Sequence, residues 1–269
     1  MENPVSDLPM LSSPQNQRVK DYVDLRSDGN IRREKRRFLL EGKRAVETAL
    51  SLPHVIVHEV IFSDHILGEE LQLVEQAQAK HIPLVRTSKD VFKKIADVIT
   101  PQGIAAVVRI PEWDVEKILG QRDSVFAIAC GVQDPGNLGA LIRSCEAAGA
   151  AALISLEHTV DPFNAKVVRA TASGLLSLPI LRMKTSDFLG EVERREIRMV
   201  ATAARDGVPF RKFKWAPRPL ALCIGSEGEG LPDAIEKACK ERVTIPLKGN
   251  AESLNAAVAA GILLFEALQ

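Results

Sequence analysis

Hydrophobic positions along this chain change period repeatedly, and the changes mark out its elements. After a loose opening at residues 1–11, the chain from Ser12 onward is helical and mostly polar. It gives way to an apolar strand-like run at 38–40 and a short helix at 42–50. Strand and helix then alternate. Runs at 55–62, 83–86 and 104–110 read as strands, and 69–81 and 89–98 as helices. That spacing predicts a small α/β/α layer domain. Residues 111–121, with Pro, Trp and acidic side chains, break the rhythm and read as a linker. A chain of 269 residues is comfortable for two cores, so two domains are expected, 1–114 and 115–269.

Beyond the linker the alternation resumes. Strands are expected at 125–130, 152–156, 178–182, 199–204, 220–224 and 243–247. Helices are expected at 137–148, 162–173, 187–196 and 256–268, with a polar helix before the last strand. The expected fold is α/β, a mostly parallel sheet with helices on both faces. The last helix is apolar on nearly every side and rich in Ala and Gly, so it must be covered all round, by its own domain or by a second subunit.

Composition narrows the function classes. The net charge is zero, which argues against a uniformly basic nucleic-acid binder. The N-terminal helical region is nevertheless locally basic, and Arg32, Arg33, Arg36 and Arg37 form its densest cluster. Such a patch is either a solvated helix face or a site for phosphate backbones. No apolar run reaches the roughly 18 residues of a membrane span, and residues 1–17 lack a signal-peptide core, so a cytoplasmic location is expected. Cys130, Cys145, Cys223 and Cys239 show no CxxC spacing and read as reduced, buried thiols. His54 and His58 have helical metal spacing, but HVIVHEVIF is a strand sequence; no metal is expected. The fingerprints of dinucleotide and P-loop sites are missing.

Candidate chemistry concentrates in the last half. Gly225, Gly228 and Gly230 crowd one turn directly after the apolar run 220–224, as a backbone needs for close approach or positive φ. A strand feeding such a turn is the usual ligand crevice of an open α/β sheet. After the strand at 243–247 and a polar loop, Ser253 is a candidate helix N-cap. Asn137, at the start of a helix, can cap it or bind ligand, and Asp134 and Pro135 before it read as turn formers. Arg143 lies within an otherwise apolar helix face, where an unpaired guanidinium would be costly to bury, so it needs an anion. Glu227 or an RNA phosphate could supply it.

These residues resemble the SpoU/TrmH family of RNA ribose methyltransferases, in the knotted α/β methyltransferase group. Three motifs occur in the family's order: Asn137 followed by LGALIRSCEAAGA, GSEGEGL at 225–231, and IPLKGNAESLNAA at 245–257. Leu247 stands where Met is common and Ala256 where Val is common. The resemblance implies a trefoil knot and S-adenosylmethionine as cofactor, with Gly225, Ile245 and Leu254 lining its site and Leu247 and Gly249 close by. It also implies that Asn137, Arg143, Glu227, Ser253 and Asn255 surround the reacting ribose. A guanidinium seldom gives up its proton, so Arg143 is assigned to fixing phosphate and ribose and stabilising the oxyanion, ahead of base catalysis. Glu227 would orient Arg143 or Asn137. A homodimer packed by the last helix is implied, and an N-terminal domain similar to ribosomal RNA binders puts ribosomal RNA ahead of tRNA. Two other readings stay open: a tRNA base-nitrogen methyltransferase of the same build, and a non-catalytic RNA-binding or assembly factor.

Overall fold

The computed structural model describes residues 8–96 and 98–269. The chain forms two compact units, and not by a single cut near residue 115. The first ends at Pro111 and adds Phe163–Leu176; the second comprises Glu112–Pro162 and Ser177–Gln269.

The first unit runs β1 (Met10–Leu11), α1 (Gln17–Ser27), α2 (Gly29–Lys35), β2 (Arg37–Glu41), α3 (Lys43–Ser51), β3 (Val57–Ser63), α4 (Glu69–Ala79), β4 (Leu84–Thr87), α5 (Lys89–Ala96) and β5 (Ile104–Arg109). Its strands lie in the order β1-β4-β3-β5-β2, with β5 antiparallel to both neighbours. Val19, Tyr22 and Leu25 of α1 and Phe92 and Ile95 of α5 pack with Leu39, Ile61 and Val107 of the sheet. Burying a side chain of this size contributes about 1.5–3 kcal/mol, so this layer is a large part of what holds the unit together.

Arg32 departs from its expected role. It is only 2% exposed, and Nη1 donates to Leu25 O and Arg26 O, both at 2.8 Å. The last carbonyls of a helix lack partners within it. Arg32 supplies them at the end of α1, so it braces α1 against α2 and is not free to meet a phosphate. Arg33, Arg36 and Arg37 are exposed.

The second unit contributes α6 (Val115–Leu119), β6 (Val125–Ala129), α7 (Pro135–Ala148) and β7 (Ala152–Ser155). The next helix, α8 (Ala165–Ala170), belongs to the first unit, where Phe163 packs on Phe38 at 5.2 Å between ring centroids and Arg169 pairs with Glu41 at 3.6 Å. The chain continues through β8 (Ile180–Arg182), α9 (Thr185–Arg195), β9 (Arg198–Ala203), β10 (Val208–Pro209), β11 (Leu220–Ile224), α10 (Asp233–Ala238), β12 (Glu241–Thr244) and α11 (Ala256–Ala267). All seven strands are parallel, in the order β10-β12-β9-β11-β6-β7-β8. β6 and β11 are buried along their whole length, which explains their unbroken apolar sequences.

Phe188 of α9 and Ile235 of α10 cover the sheet face carrying Phe126, Ile128 and Cys223. On the other face α11 lies along α7, and the close fit is visible at Gly261, where an added Cβ would meet Ser144 Oγ at 3.2 Å. α11 buries Ala257, Ala260, Leu263, Leu264 and Ala267 but leaves Val258, Ile262 and Phe265 substantially exposed. The last strand stops at Thr244, short of the expected 247. Pro246 has no N–H to give a ladder, and the chain leaves the sheet before it. No helix among the described residues is long and apolar enough to cross a membrane.

Removing the Arg32 brace tests this arrangement. Arg32→Ala is expected to cost roughly 1.5–3 kcal/mol, seen as a lower urea midpoint, because two carbonyls lose a charged donor. Arg33→Ala, at an exposed position, is expected to stay within about 0.5 kcal/mol of the parent chain.

Candidate active site

Three loops meet at the carboxyl ends of neighbouring strands in the second unit. The turn after β11 closes on itself through paired bonds between Ser226 and Gly230, both 3.1 Å. Gly225 permits the closure, because a Cβ there would lie 2.4 Å from Gly230 C and 2.7 Å from Leu231 N. Gly230 has φ +72°, a conformation that L side chains rarely adopt. Both needs inferred from the glycine pattern are therefore present, on different glycines.

Of the capping candidates in the sequence, Asn255 serves at α11, while α7 is capped by Asp134, expected only as a turn former. Asp134 caps α7, its side chain accepting from Asn137 N at 2.8 Å, with Pro135 as the first helical residue. Asn255, not Ser253, caps α11, with Oδ1 accepting from Ala257 N at 3.1 Å and Val258 N at 3.2 Å. With capping of α7 left to Asp134, the Asn137 side chain is available for other contacts.

Asn137, Glu227 and Asn255 use that freedom to form one network. Glu227 Oε1 accepts from Asn137 Nδ2 at 3.1 Å, from Asn255 Nδ2 at 2.7 Å and from Ala256 N at 3.3 Å. Asn255 Nδ2 also donates to Asn137 Oδ1 at 2.8 Å. One carboxylate oxygen of the loop after β11 thus ties together the first turn of α7 and the start of α11. Its position at a helix N-terminus is favourable by about 0.3–1 kcal/mol, since the helix presents unpaired N–H groups and a positive dipole end there.

Two adjoining cavities flank this network. One, of about 380 Å³, is walled by Thr202 to Ala204 after β9, by the turn after β11, and by Ile245, Leu247, Ser253 and Leu254. The other, of about 260 Å³, lies between Gln133, Asp134, Asn137 and the same turn. Gly225, Ser226, Glu227, Gly228 and Glu229 line both. The early end of β12 matters here, because it frees Ile245 and Leu247 from the sheet to form an apolar wall. Gly249 lies in the same loop but outside this lining. Thr202, Ala203, Leu231, Ala259 and Leu263 also line the larger cavity; they read in the sequence only as strand, turn or helix positions.

Arg143 is exposed and makes no hydrogen bond or ion pair among the described residues, including with Glu227. The inferred burial was wrong: Leu138, Leu141, Ile142 and Cys145 form the buried face of α7, and Arg143 lies off it. Burial pushes the Cys130 thiol up to about 12, and desolvation raises Cys145 as well. Both therefore stay protonated and act as packing groups, not nucleophiles. No group of three or more His, Cys, Asp or Glu among the described residues is placed to hold a metal ion.

Comparison with known proteins gives this geometry a context. Residues 124–265 match the SpoU rRNA Methylase family, and residues 16–106 match the MRM3-like substrate binding domain. The chain is 34% identical over 255 residues to 23S rRNA (guanosine(2553)-2'-O)-methyltransferase RlmP of Bacillus subtilis, spanning 95% of this chain and 97% of the relative. The AdoMet-bound rRNA methyltransferase from Sinorhizobium meliloti superposes with a TM-score of 0.85 at 30% identity, covering 96% of this chain and 97% of that one. The SpoU methyltransferase AviRb from Streptomyces viridochromogenes, in complex with AdoMet, gives 0.81 at 29% identity over 94% of this chain and 98% of that one. A family match over more than half the residues and a relative aligned along nearly its full length agree: the chain belongs to the SpoU rRNA methylase family.

Proposed function

We propose that this protein transfers the methyl group of S-adenosylmethionine to a ribose 2′-hydroxyl of ribosomal RNA. The observation that carries the reading is the pair of cavities sharing one wall, an apolar slot on one side and an amide-carboxylate network on the other. A volume of about 380 Å³ lies within the range of small-molecule sites, roughly 300–1,000 Å³. Its apolar side chains and the exposed backbone of a glycine turn suit an adenosine and a short aliphatic tail. When bound, the cofactor supplies an electrophilic methyl on a sulfonium, so the reading calls for no metal.

The chain's own groups do the rest. Ile245, Leu247 and Leu254 form the slot, and Gly225 lets the backbone close around it. Glu227 holds Asn137 and Asn255 in register; Asn137 and Ser253 position the ribose. Arg143, exposed and without a hydrogen bond or ion pair among the described residues, can clasp a substrate phosphate and stabilise the 2′-oxygen while its proton passes to solvent water and S-adenosylhomocysteine leaves. A guanidinium does not serve as a base in proteins, so the role asked of this residue is positioning and charge. Positioning of this kind can lower a barrier by several kcal/mol without any special nucleophile. The exposed Arg33, Arg36 and Arg37 of the first unit offer phosphate contacts, consistent with a substrate-binding role for that unit. A cytoplasmic site of action and the knotted threading of the C-terminal segment belong to the same reading.

A homodimer is part of it too. Val258, Ile262 and Phe265 recur at spacings of four and three along α11, making one exposed apolar stripe on a helix otherwise buried or half-buried. A second copy would cover it. Multi-angle light scattering is expected to give twice the chain mass for the parent and a single chain mass for Ile262→Lys/Phe265→Lys. A monomeric parent would remove the dimer.

The reaction is tested with radiolabelled methyl donor and a 23S rRNA transcript. Ribose methylation blocks alkaline cleavage at the neighbouring phosphodiester, so the label is expected in an alkali-resistant dinucleotide. Label in a mononucleotide would favour the base-nitrogen reading, and no label would favour a non-catalytic factor. Arg143→Ala is expected to lower kcat by roughly 10²–10³-fold. Calorimetry should show its cofactor Kd nearly unchanged.

A further inference from the structure

Three of the four cysteines meet in one hydrophobic cluster of the second unit. Cys223 lies in β11 and Cys130 directly follows β6, the neighbouring strand, and both are buried. Cys239 ends α10, packs on the same cluster and is half-buried, the one partly accessible thiol of the chain. The sulfurs of Cys223 and Cys239 are close enough for one thiol to donate to the other. Cys130 feels the charge of Cys239 but shares no hydrogen bond with it.

The two touching thiols are unequal. Donation to the Cys239 sulfur and burial both push the Cys223 thiol well above its ordinary value, so it keeps its proton. Its contact with the backbone, to Ala221 O, is long at 3.8 Å and leaves the S–H able to turn toward Cys239. An oxidant arriving from solvent meets Cys239 first. An accessible sulfur beside a buried, protonated one is the arrangement in which the first is oxidised and the second resolves it to a disulfide.

The chain between the two sulfurs carries the glycine turn. Cys223 stands two residues before Gly225, and Cys239 directly follows α10, so residues 224–238 hold the whole turn and that helix. Leu231 both packs on the cysteine cluster and lines the larger cavity. A disulfide, at about 2.05 Å, is shorter than any contact between unbonded sulfurs. Its formation draws the end of α10 toward β11 and closes a covalent ring around the turn.

We propose that Cys239 and Cys223 form an oxidant-sensitive dithiol whose disulfide restrains the glycine turn. With hydrogen peroxide as the oxidant, Cys239 attacks as thiolate; the O–O bond breaks, hydroxide leaves and is protonated to water, and Cys239 becomes a sulfenic acid. The Cys223 sulfur then attacks the Cys239 sulfur, the S–O bond breaks, and the hydroxyl leaves as water with the Cys223 proton. Two electrons pass from the sulfurs to the peroxide, and a dithiol reductant returns them. The disulfide itself is independent of the cofactor reading; only its effect on cofactor binding rests on that reading.

The test treats the full-length protein with a small excess of hydrogen peroxide, then unfolds it and alkylates the free thiols. The reduced chain is expected to take four alkyl groups and the oxidised chain two. Trypsin cuts after Lys237, between the two cysteines, so a linked pair of peptides identifies the bond. Cys130→Ala is expected to keep that bond and Cys239→Ser to lose it. Amide hydrogen exchange across residues 225–231 should slow on oxidation of the parent, recover with dithiothreitol, and stay unchanged by peroxide in Cys239→Ser. Calorimetry should show the S-adenosylmethionine Kd of the oxidised parent raised by about fivefold or more. Four free thiols after peroxide, a bond joining any other pair or two chains, or a sulfinic acid at Cys239 overturns the proposal. So does a bond between Cys223 and Cys239 that leaves exchange in the turn unchanged. A reduced parent that binds no S-adenosylmethionine defeats the cofactor reading, while the linked peptides and the exchange rates still decide this proposal.

Discussion

Glu227 Oε1 accepts three N–H groups from two distant helix starts, those of α7 and α11, and the geometry of the site depends on that convergence. The network lies at the surface of a crevice: Glu227 and Asn255 are exposed and Asn137 partly so. In contact with water each such bond contributes only about 0.5–1.5 kcal/mol. The same bonds strengthen when water is excluded, because the local dielectric falls. A substrate and cofactor closing over the crevice would therefore stiffen the groups that hold them.

The sheet explains why those three loops can meet. β11 lies between β9 and β6, so the turn after β11 has the ends of both neighbours beside it. β12, on the far side of β9, ends early at Thr244, and the apolar residues that follow it, Ile245 and Leu247, line the crevice. α11 then leaves from Asn255 and runs back along α7, fixing the two helix starts that carry Asn137 and Asn255. Ligand crevices of open α/β sheets form at the carboxyl ends of strands for this reason, and here the backbone supplies the shape while few side chains supply the chemistry.

Much of this was readable from residues alone. The continuous apolar runs announced the buried parallel strands, and the glycine turn with its preceding strand announced the crevice. What was not readable depends on choices between near-equal neighbours or on distant packing. Asp, Asn and Ser have similar capping propensity, so local sequence did not decide between Asp134 and Asn137, or between Ser253 and Asn255. A run of arginines shows charge but not direction, and Arg32 turns inward only because the end of α1 presents two carbonyls to it. Arg143 is exposed because it lies off the face that α7 buries through Leu138, Leu141, Ile142 and Cys145, and which face is buried is decided by tertiary packing. Phe163–Leu176 packs with the first unit through Phe38 and Glu41, partners no local periodicity could name.

The central claim is that Asn137 and Glu227 act as one unit. A double-mutant cycle on kcat/KM, with Asn137→Ala, Glu227→Ala and the pair, measures it directly. The account predicts that the double variant falls little further than the worse single variant, because either change releases the same alignment. Losses that multiply, each independent of the other, would contradict it.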